Sequence, residues 1–172
     1  LTLLPFILKA AAQALQRYPA FNSTVDGNES IVRGYRHIGF AVDTPEGLVV
    51  PVVRDADKKG LLDIARESDE LVRLARAGKL GPDRMQGGCF TVSNLSSAGG
   101  SGFTPIINAP EVAILGVARS EIRPVWDGVQ FQPRLVLPLC LSWDHRALDG
   151  VAAARFLGFL AGMLSDFRRA VL

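Results

Sequence analysis

The sequence predicts an α/β domain, a mixed β-sheet with helices packed on it. Three observations carry that expectation. Helical and strand patterns alternate, but unevenly. Asp-Gly pairs, Asp26-Gly27 and Asp127-Gly128, mark hairpin turns, which a doubly wound parallel sheet does not need. Several strand candidates are continuous apolar runs, as in strands buried on both faces. At 172 residues the chain is long enough for one domain with a real core.

Residues 3–18 read as the first helix, because Leu4, Ile7, Leu8, Ala11, Ala12 and Leu15 recur at three- and four-residue spacing. Pro5 fits only near its start, and Pro19 ends it. The stretches "IVRGYRHIGFAVDT" and "GLVVPVV" read as strands split by "PEG". The second is apolar throughout, which predicts burial on both faces, although Pro51 inside it argues for an edge or a bulge. Next comes "LLDIARESDELVRLARAG", an amphipathic helix with Leu61, Ile64, Ala65, Leu71, Val72 and Ala75 on one face and Gly78 near its end. "CFTVSNL" reads as a strand running into a Ser/Gly-rich loop, and "EVAILGVA" as another strand. "VWDGVQFQPRLVLPLCLSW" reads as a hairpin with a long buried return strand. Asp149 is then placed to cap a final helix over about residues 150–168.

Apolar residues make up 48% and charged residues 21%, ordinary for a soluble globular protein. A net charge of +2 without clustered Lys or Arg gives no case for nucleic acid or an anionic membrane surface. The apolar helical stretches are interrupted by Lys9 and Arg155, so no membrane span is expected. Cys89 and Cys140 sit in apolar runs and read as small hydrophobes, with a disulfide left open. With no CxxC and two histidines, no metal site is expected. The loop "GGSG" lacks the lysine and spacing of a P-loop. The chain opens without Met inside a helical pattern, so it reads as a piece of a longer protein.

The candidate chemistry lies in "LVLPLCLSWDHRALDG", residues 135–150. His145 follows a strand and precedes a helix, a position where α/β proteins present reactive groups. Imidazole, with an unperturbed pKa of about 6.5, can take a proton at neutral pH. A structural histidine is the alternative. Asp149 reads first as an N-cap that fixes the loop carrying His145. Asp144 is a second possible partner, but neighbouring strand side chains point to opposite faces. No GxSxG elbow occurs, so a protease-like triad is not expected. Ser93, at the end of its strand, can donate to a developing oxyanion or serve as a turn hydroxyl, with Ser96 and Ser97 as rivals. His37 reads as a strand residue with a packing role.

The segment "DHRALDG" resembles the His-x-x-x-Asp-Gly signature of the acyltransferase component of 2-oxo acid dehydrogenase complexes. Chloramphenicol acetyltransferase and peptide-synthetase condensation domains share versions of that short signature. The rest of the chain favours the first family. "HIGFAVDTPEGLVVPVVRDADKKGL", "GGCFTVSNL", "FTPIINAPEVAILGVAR" and "PVWDG…FQPRLVLPLCLSWDHR" resemble it in the same order, over essentially all 172 residues. The resemblance is nearest to the dihydrolipoamide acetyltransferases of bacterial pyruvate dehydrogenase complexes. Ala147-Leu148 stands where the signature more often has Val-Ile.

The resemblance implies a chloramphenicol-acetyltransferase-like two-layer sandwich. It implies an acyltransferase catalytic domain over residues 1–172 that lacks the family's N-terminal segment, a lipoyl domain and a peripheral-subunit-binding domain. His145 becomes the general base for the attacking thiol, and Ser93 the hydroxyl that holds the oxyanion. Asp149 becomes the signature aspartate that holds the loop. Coenzyme A and lipoamide are implied as substrates, the lipoyl group being carried on a domain outside this chain, with no metal. The site is implied to lie between subunits of a homotrimer, His145 of one chain facing Ser93 of its neighbour. Trimers would assemble further into a cage through an apolar C-terminal tip, here Val171-Leu172, around which decarboxylase and dihydrolipoamide dehydrogenase components gather. Acetyl is the expected acyl group, with succinyl and branched-chain acyl as alternatives; a cube, a dodecahedron and a bare trimer all stay open. Two other readings are a non-catalytic scaffold subunit and a stand-alone acetyltransferase with a non-lipoyl acceptor. The expected location is cytoplasmic in a bacterium, or the mitochondrial matrix in a eukaryote.

Overall fold

The computed structural model describes residues 1–170. Helix α1 spans Leu3–Arg17 and is the centre of the helical layer. It touches both other helices and two strands of the sheet. Ile7, Leu8, Ala10, Ala11, Ala12, Ala14 and Leu15 are fully buried on it. Four alanines among those seven let neighbouring elements approach closely on several sides. Buried Lys9 is satisfied without an ion pair, donating to the carbonyls of Asp57 and Lys59 at 2.8 Å each.

Strands β1 (Ser23–Asp26) and β2 (Glu29–Val32) form the hairpin that Asp26-Gly27 predicts, with Gly27 at φ +57°. Then come β3 (Ile38–Phe40), β4 (Val42–Thr44), β5 (Gly47–Val49) and β6 (Val52–Val53). The expectation of one buried strand over "GLVVPVV" is corrected here. β5 pairs with β4 in a small hairpin, with Leu48 exposed, while β6 is a separate edge strand. Pro51 breaks the run between them because it has no N–H to give to a ladder.

Helix α2 (Leu61–Arg76) follows, then β7 (Phe90–Asn94) and β8 (Ala113–Val117). β9 (Glu121–Trp126) and β10 (Phe131–Val136) form the second Asp-Gly hairpin. A further correction applies here. The return strand breaks at Leu137-Pro138, so β10 stays on an exposed ribbon and only β11 (Leu139–Trp143) joins the main sheet. β11 is half-buried along its length, not fully buried. Helix α3 (Gly150–Ser165) and a 3-10 turn over Phe167–Ala170 complete the described chain. The Val171-Leu172 pair lies outside the described residues.

The main sheet runs β11-β8-β7-β3-β6. β8, β7 and β3 are parallel, and the two outer strands are antiparallel to their neighbours. Alternation gives the sheet two distinct faces. Ile38, Phe40, Phe90, Val92, Ala113, Leu115 and Val117 belong to the core under the helices. Gly39, Thr91, Ser93 and Gly116 point the other way. The 95–112 segment lies over this second face. At Gly116 a Cβ would stand 2.8 Å from the Phe103 ring, so glycine is needed there.

Phe156 of α3 joins the two layers. It is fully buried, stacks on Phe21 with centroids 4.2 Å apart, and meets Phe90 of the sheet and Tyr18 beyond α1. Phe156→Ala is expected to cost about 3–5 kcal/mol, read by urea unfolding. A loss below about 1 kcal/mol would show that the two layers do not depend on this contact.

Candidate active site

His145 stands at the crest of a tight turn joining β11 to α3. The turn is fixed by Asp144. Its backbone N–H donates to the Val112 carbonyl at 2.8 Å, and its own carbonyl accepts from Ala147 and Leu148, each at 3.0 Å. Its carboxylate accepts from the Arg146 backbone at 2.9 Å and from the Arg146 guanidinium at 2.6 Å. These hydrogen bonds and the Arg146 charge hold the Asp144 carboxyl below the usual carboxylate range. Leu148 anchors the far side of the turn in the core. His145 itself is exposed and forms no hydrogen bond among the described residues, lying 6.3 Å from the Trp143 ring, centroid to centroid. Its imidazole is therefore presented outward on a stiff support.

Asp149 takes the capping role. Its Oδ1 accepts from the Ala152 N–H at 2.7 Å at the start of α3. Neither nearby carboxylate binds the histidine: Asp149 serves the helix and Asp144 serves the turn.

Ser93 lies on β7, opposite Gly116 of β8, with its side chain on the face away from the helices. Its hydroxyl makes no hydrogen bond among the described residues. Ser96 and Ser97 lie beyond it in the turn, where the Asn94 side chain accepts from the Ser96 N–H at 3.0 Å.

One chain does not bring Ser93 and His145 together. Ser93 is level with Gly116, and Gly116 with Cys140. β11 runs antiparallel to β8, so from Cys140 it heads away from the Ser93 end. The last strand residue, Trp143, stands three residues along and two strands across, roughly 14 Å away at ordinary sheet spacings. His145 continues in that direction. An imidazole and a hydroxyl so separated cannot act on one bond.

His37 is structural, as its packing role predicts. It is buried, and its Nδ1 accepts from the Asp55 N–H at 2.9 Å. Burial pushes its pKa down, keeping it a neutral acceptor. Cys89 is buried, with its thiol pKa pushed up, and Cys140 is half-buried; both are free thiols. Among the described residues, no group of three or more His, Cys, Asp or Glu is placed to hold a metal ion. No described helix is long and apolar enough to cross a membrane.

Sequence reasoning missed Glu111. It is 6% exposed, yet it has no ion-pair partner among the described residues. Thr91 Oγ1 donates to Glu111 Oε1 at 2.9 Å, while Oε2 is buried without a partner. Burial raises its pKa from 4.5 to about 7, and hydrogen bonding offsets only part of that rise. The sequence signal was a single acid heading the wholly apolar run "VAILGV".

The family model described as 2-oxoacid dehydrogenases acyltransferase (catalytic domain) matches residues 1–172. The dihydrolipoyllysine-residue acetyltransferase component of pyruvate dehydrogenase complex from Cupriavidus necator is 59% identical over 171 residues, 99% of this chain and 31% of that protein. This chain thus spans about a third of the length of that relative. The solved cubic core of a pyruvate dehydrogenase multienzyme complex matches with a TM-score of 0.98 at 56% identity, covering 100% of this chain and 72% of that one. An Azotobacter vinelandii dihydrolipoamide acetyltransferase structure matches at TM-score 0.97 and 55% identity, with 100% and 72% covered. In that protein the catalytic roles of a serine, a histidine 52 residues later and an asparagine four residues further on were investigated. A chloramphenicol acetyltransferase has a TM-score of 0.64 at 15% identity over 95% of this chain and 78% of that one, which bears on the fold alone. The fold is of that kind, a mixed sheet with helices packed on it.

Asp149→Ala is expected to lower stability by about 1 kcal/mol by removing the cap, whereas Asp149→Asn keeps it within a few tenths. Urea unfolding of both variants checks this. Equal losses in the two would mean that the carboxylate does something other than cap.

Proposed function

This chain belongs to the 2-oxoacid dehydrogenase acyltransferase family, as its catalytic domain, and on that premise we propose that it transfers an acetyl group between coenzyme A and a dihydrolipoyl thiol. One observation carries the reading. Ser93, His145 and Asp149 stand 52 and four residues apart, the same spacing as the serine, histidine and asparagine studied in the Azotobacter enzyme. Asp149 stands where that protein has asparagine. Both residues cap helices well, so the replacement keeps the turn in place.

The step follows from the two side chains. The His145 imidazole takes the proton of the attacking thiol. The thiolate forms a C–S bond to the thioester carbonyl carbon, and the π electrons move to oxygen. The Ser93 hydroxyl donates to that oxyanion. The carbonyl re-forms as the other C–S bond breaks, and the leaving thiolate recovers the proton from the imidazolium. No protein nucleophile is used, which suits a site without a triad.

The protein works as a homotrimer, with His145 of one chain beside Ser93 of another. The sheet register supports this, since one chain holds them apart. The β9–β10 ribbon also supports association. Its register places Ile122, Trp126, Phe131 and Leu135 on one face, each more than half exposed. That face continues into an open apolar groove of about 720 Å³ lined by Leu3, Phe6, Leu137, Leu164 and Phe167. Contiguous apolar surface of this kind marks a contact between proteins. Trimers assemble into a larger cage, a reading supported by the similar protein that forms a cubic core. Decarboxylase and dihydrolipoamide dehydrogenase components are its further partners, and the lipoyl group arrives on a domain outside residues 1–172.

The test is acetyl transfer from acetyl-coenzyme A to dihydrolipoamide by the assembled protein. His145→Ala is expected to lose about 10²–10⁴-fold in kcat. Ser93→Ala is expected to lose about 10²–10³-fold. Undiminished transfer in His145→Ala overturns the base assignment. Undetectable transfer by the assembled wild type favours a scaffold subunit instead.

A further inference from the structure

Glu111 has no part in the chemistry above, yet it is enclosed with care. Its side chain lines a cleft of about 360 Å³ with Arg33, Tyr35, Met85, Gly88 and Asn108. A Cβ at residue 88 would stand 2.9 Å from Glu111 Oε1, so glycine there makes room for the carboxyl. Its bonds lead toward both proposed half-sites of the chain, which serve different intersubunit sites. On one side, Thr91 donates to Glu111 at 2.9 Å, and Ser93 lies two residues further along the same strand and face. On the other side, the next residue, Val112, accepts the Asp144 N–H at 2.8 Å, the bond that starts the His145 turn. The Glu111 N–H donates to the Asn108 carbonyl at 3.0 Å, tying in the segment that covers the Ser93 face.

We infer that Glu111 is a positioning residue for acyl transfer: its side chain locks the strand carrying Ser93 to the segment that seats the His145 turn. The inference rests on the transferase reading above. It also carries a pH dependence. The ionisable groups around the carboxyl are Arg33 and Tyr35 after β2, and Cys89 before β7. Arg33 is engaged by the Tyr35 hydroxyl at 3.0 Å and Thr24 at 3.3 Å, and Arg36 pairs with Asp57. Nothing among these neutralises an ionised Glu111 directly, so burial favours the uncharged carboxyl and outweighs the Thr91 hydrogen bond, which favours the ionised form. The raised pKa makes the carboxyl's contribution to folding complete below pH 4.5 and lost as pH rises through about 7. Glu111→Gln keeps an acceptor for Thr91 and removes the charge.

The experiment measures kcat and KM against pH for assembled wild type, Glu111→Gln, Glu111→Ala and Thr91→Val. It adds amide hydrogen exchange at residues 92–95 and 144–148. At neutral pH, Glu111→Ala and Thr91→Val are expected to lose about tenfold to a hundredfold in kcat, as for a small misplacement of reacting groups, with KM little changed. Glu111→Gln stays close to wild type at neutral pH and lacks the wild-type decline in kcat that accompanies ionisation above about pH 7. Exchange at both stretches quickens in Glu111→Ala and Thr91→Val, and α1 serves as the unaffected reference. Wild-type kcat in folded Glu111→Ala, or the same pH profile in Glu111→Gln as in wild type, overturns the inference. Unchanged exchange at both stretches overturns it even where the wild type transfers no acetyl group, a result that by itself counts against the transferase reading alone.

Discussion

The direction of one edge strand decides how this molecule can work. β11 pairs antiparallel with β8, whereas β7 pairs parallel with it. Ser93 therefore sits toward one end of the sheet and the His145 turn leaves from the other. Had β11 run parallel, both groups would share one end of the sheet. As built, each chain holds Ser93 and His145 apart, and under the proposed transfer association is a condition for chemistry, beyond any gain in stability. The exposed apolar ribbon β9–β10 fits that condition, since a chain meant to stay alone would cover Trp126 and Phe131.

The sheet's two faces divide the labour. The helix face holds the core, where α1 contributes tightly packed alanines and Phe156 links the layers. The opposite face carries Gly39, Thr91, Ser93 and Gly116 beside Ile114. Gly116 leaves room for the 95–112 segment to lie close, with the Phe103 ring against it. The half-sites themselves are stiffened by hydrogen bonds near them. Asp144 and Arg146 fix the turn, Asp149 caps the helix behind it, and His145 is left with its imidazole unengaged. Such preorganisation leaves little rearrangement for the moment of reaction.

Local patterns foretold much of this. The helices around Leu8 and Ile64 follow from apolar spacing, and both Asp-Gly hairpins form where their turn residues stand. Asp149 caps α3 as its position before an apolar helix predicts. The errors share a cause. "GLVVPVV" and "FQPRLVLPLCLSW" look buried because they are apolar, but apolar composition cannot tell a core strand from an exposed one. Pro51 and Pro138 mark where each run breaks and leaves its ladder. Glu111 escaped notice because its meaning is entirely tertiary. A single acid ahead of a strand acquires a shifted pKa only when a sheet, a covering segment and Gly88 close around it.

The central claim is that a working site joins His145 of one chain to Ser93 of another. Mixing the two inactive variants tests it most directly. Ser93→Ala and His145→Ala chains are unfolded together and reassembled in equal amounts, and acetyl transfer is measured. Random assembly makes about a quarter of the intersubunit sites carry both wild-type groups, so about a quarter of wild-type activity returns. Activity no higher than that of either variant alone, in a mixture shown to contain mixed oligomers, would contradict the account.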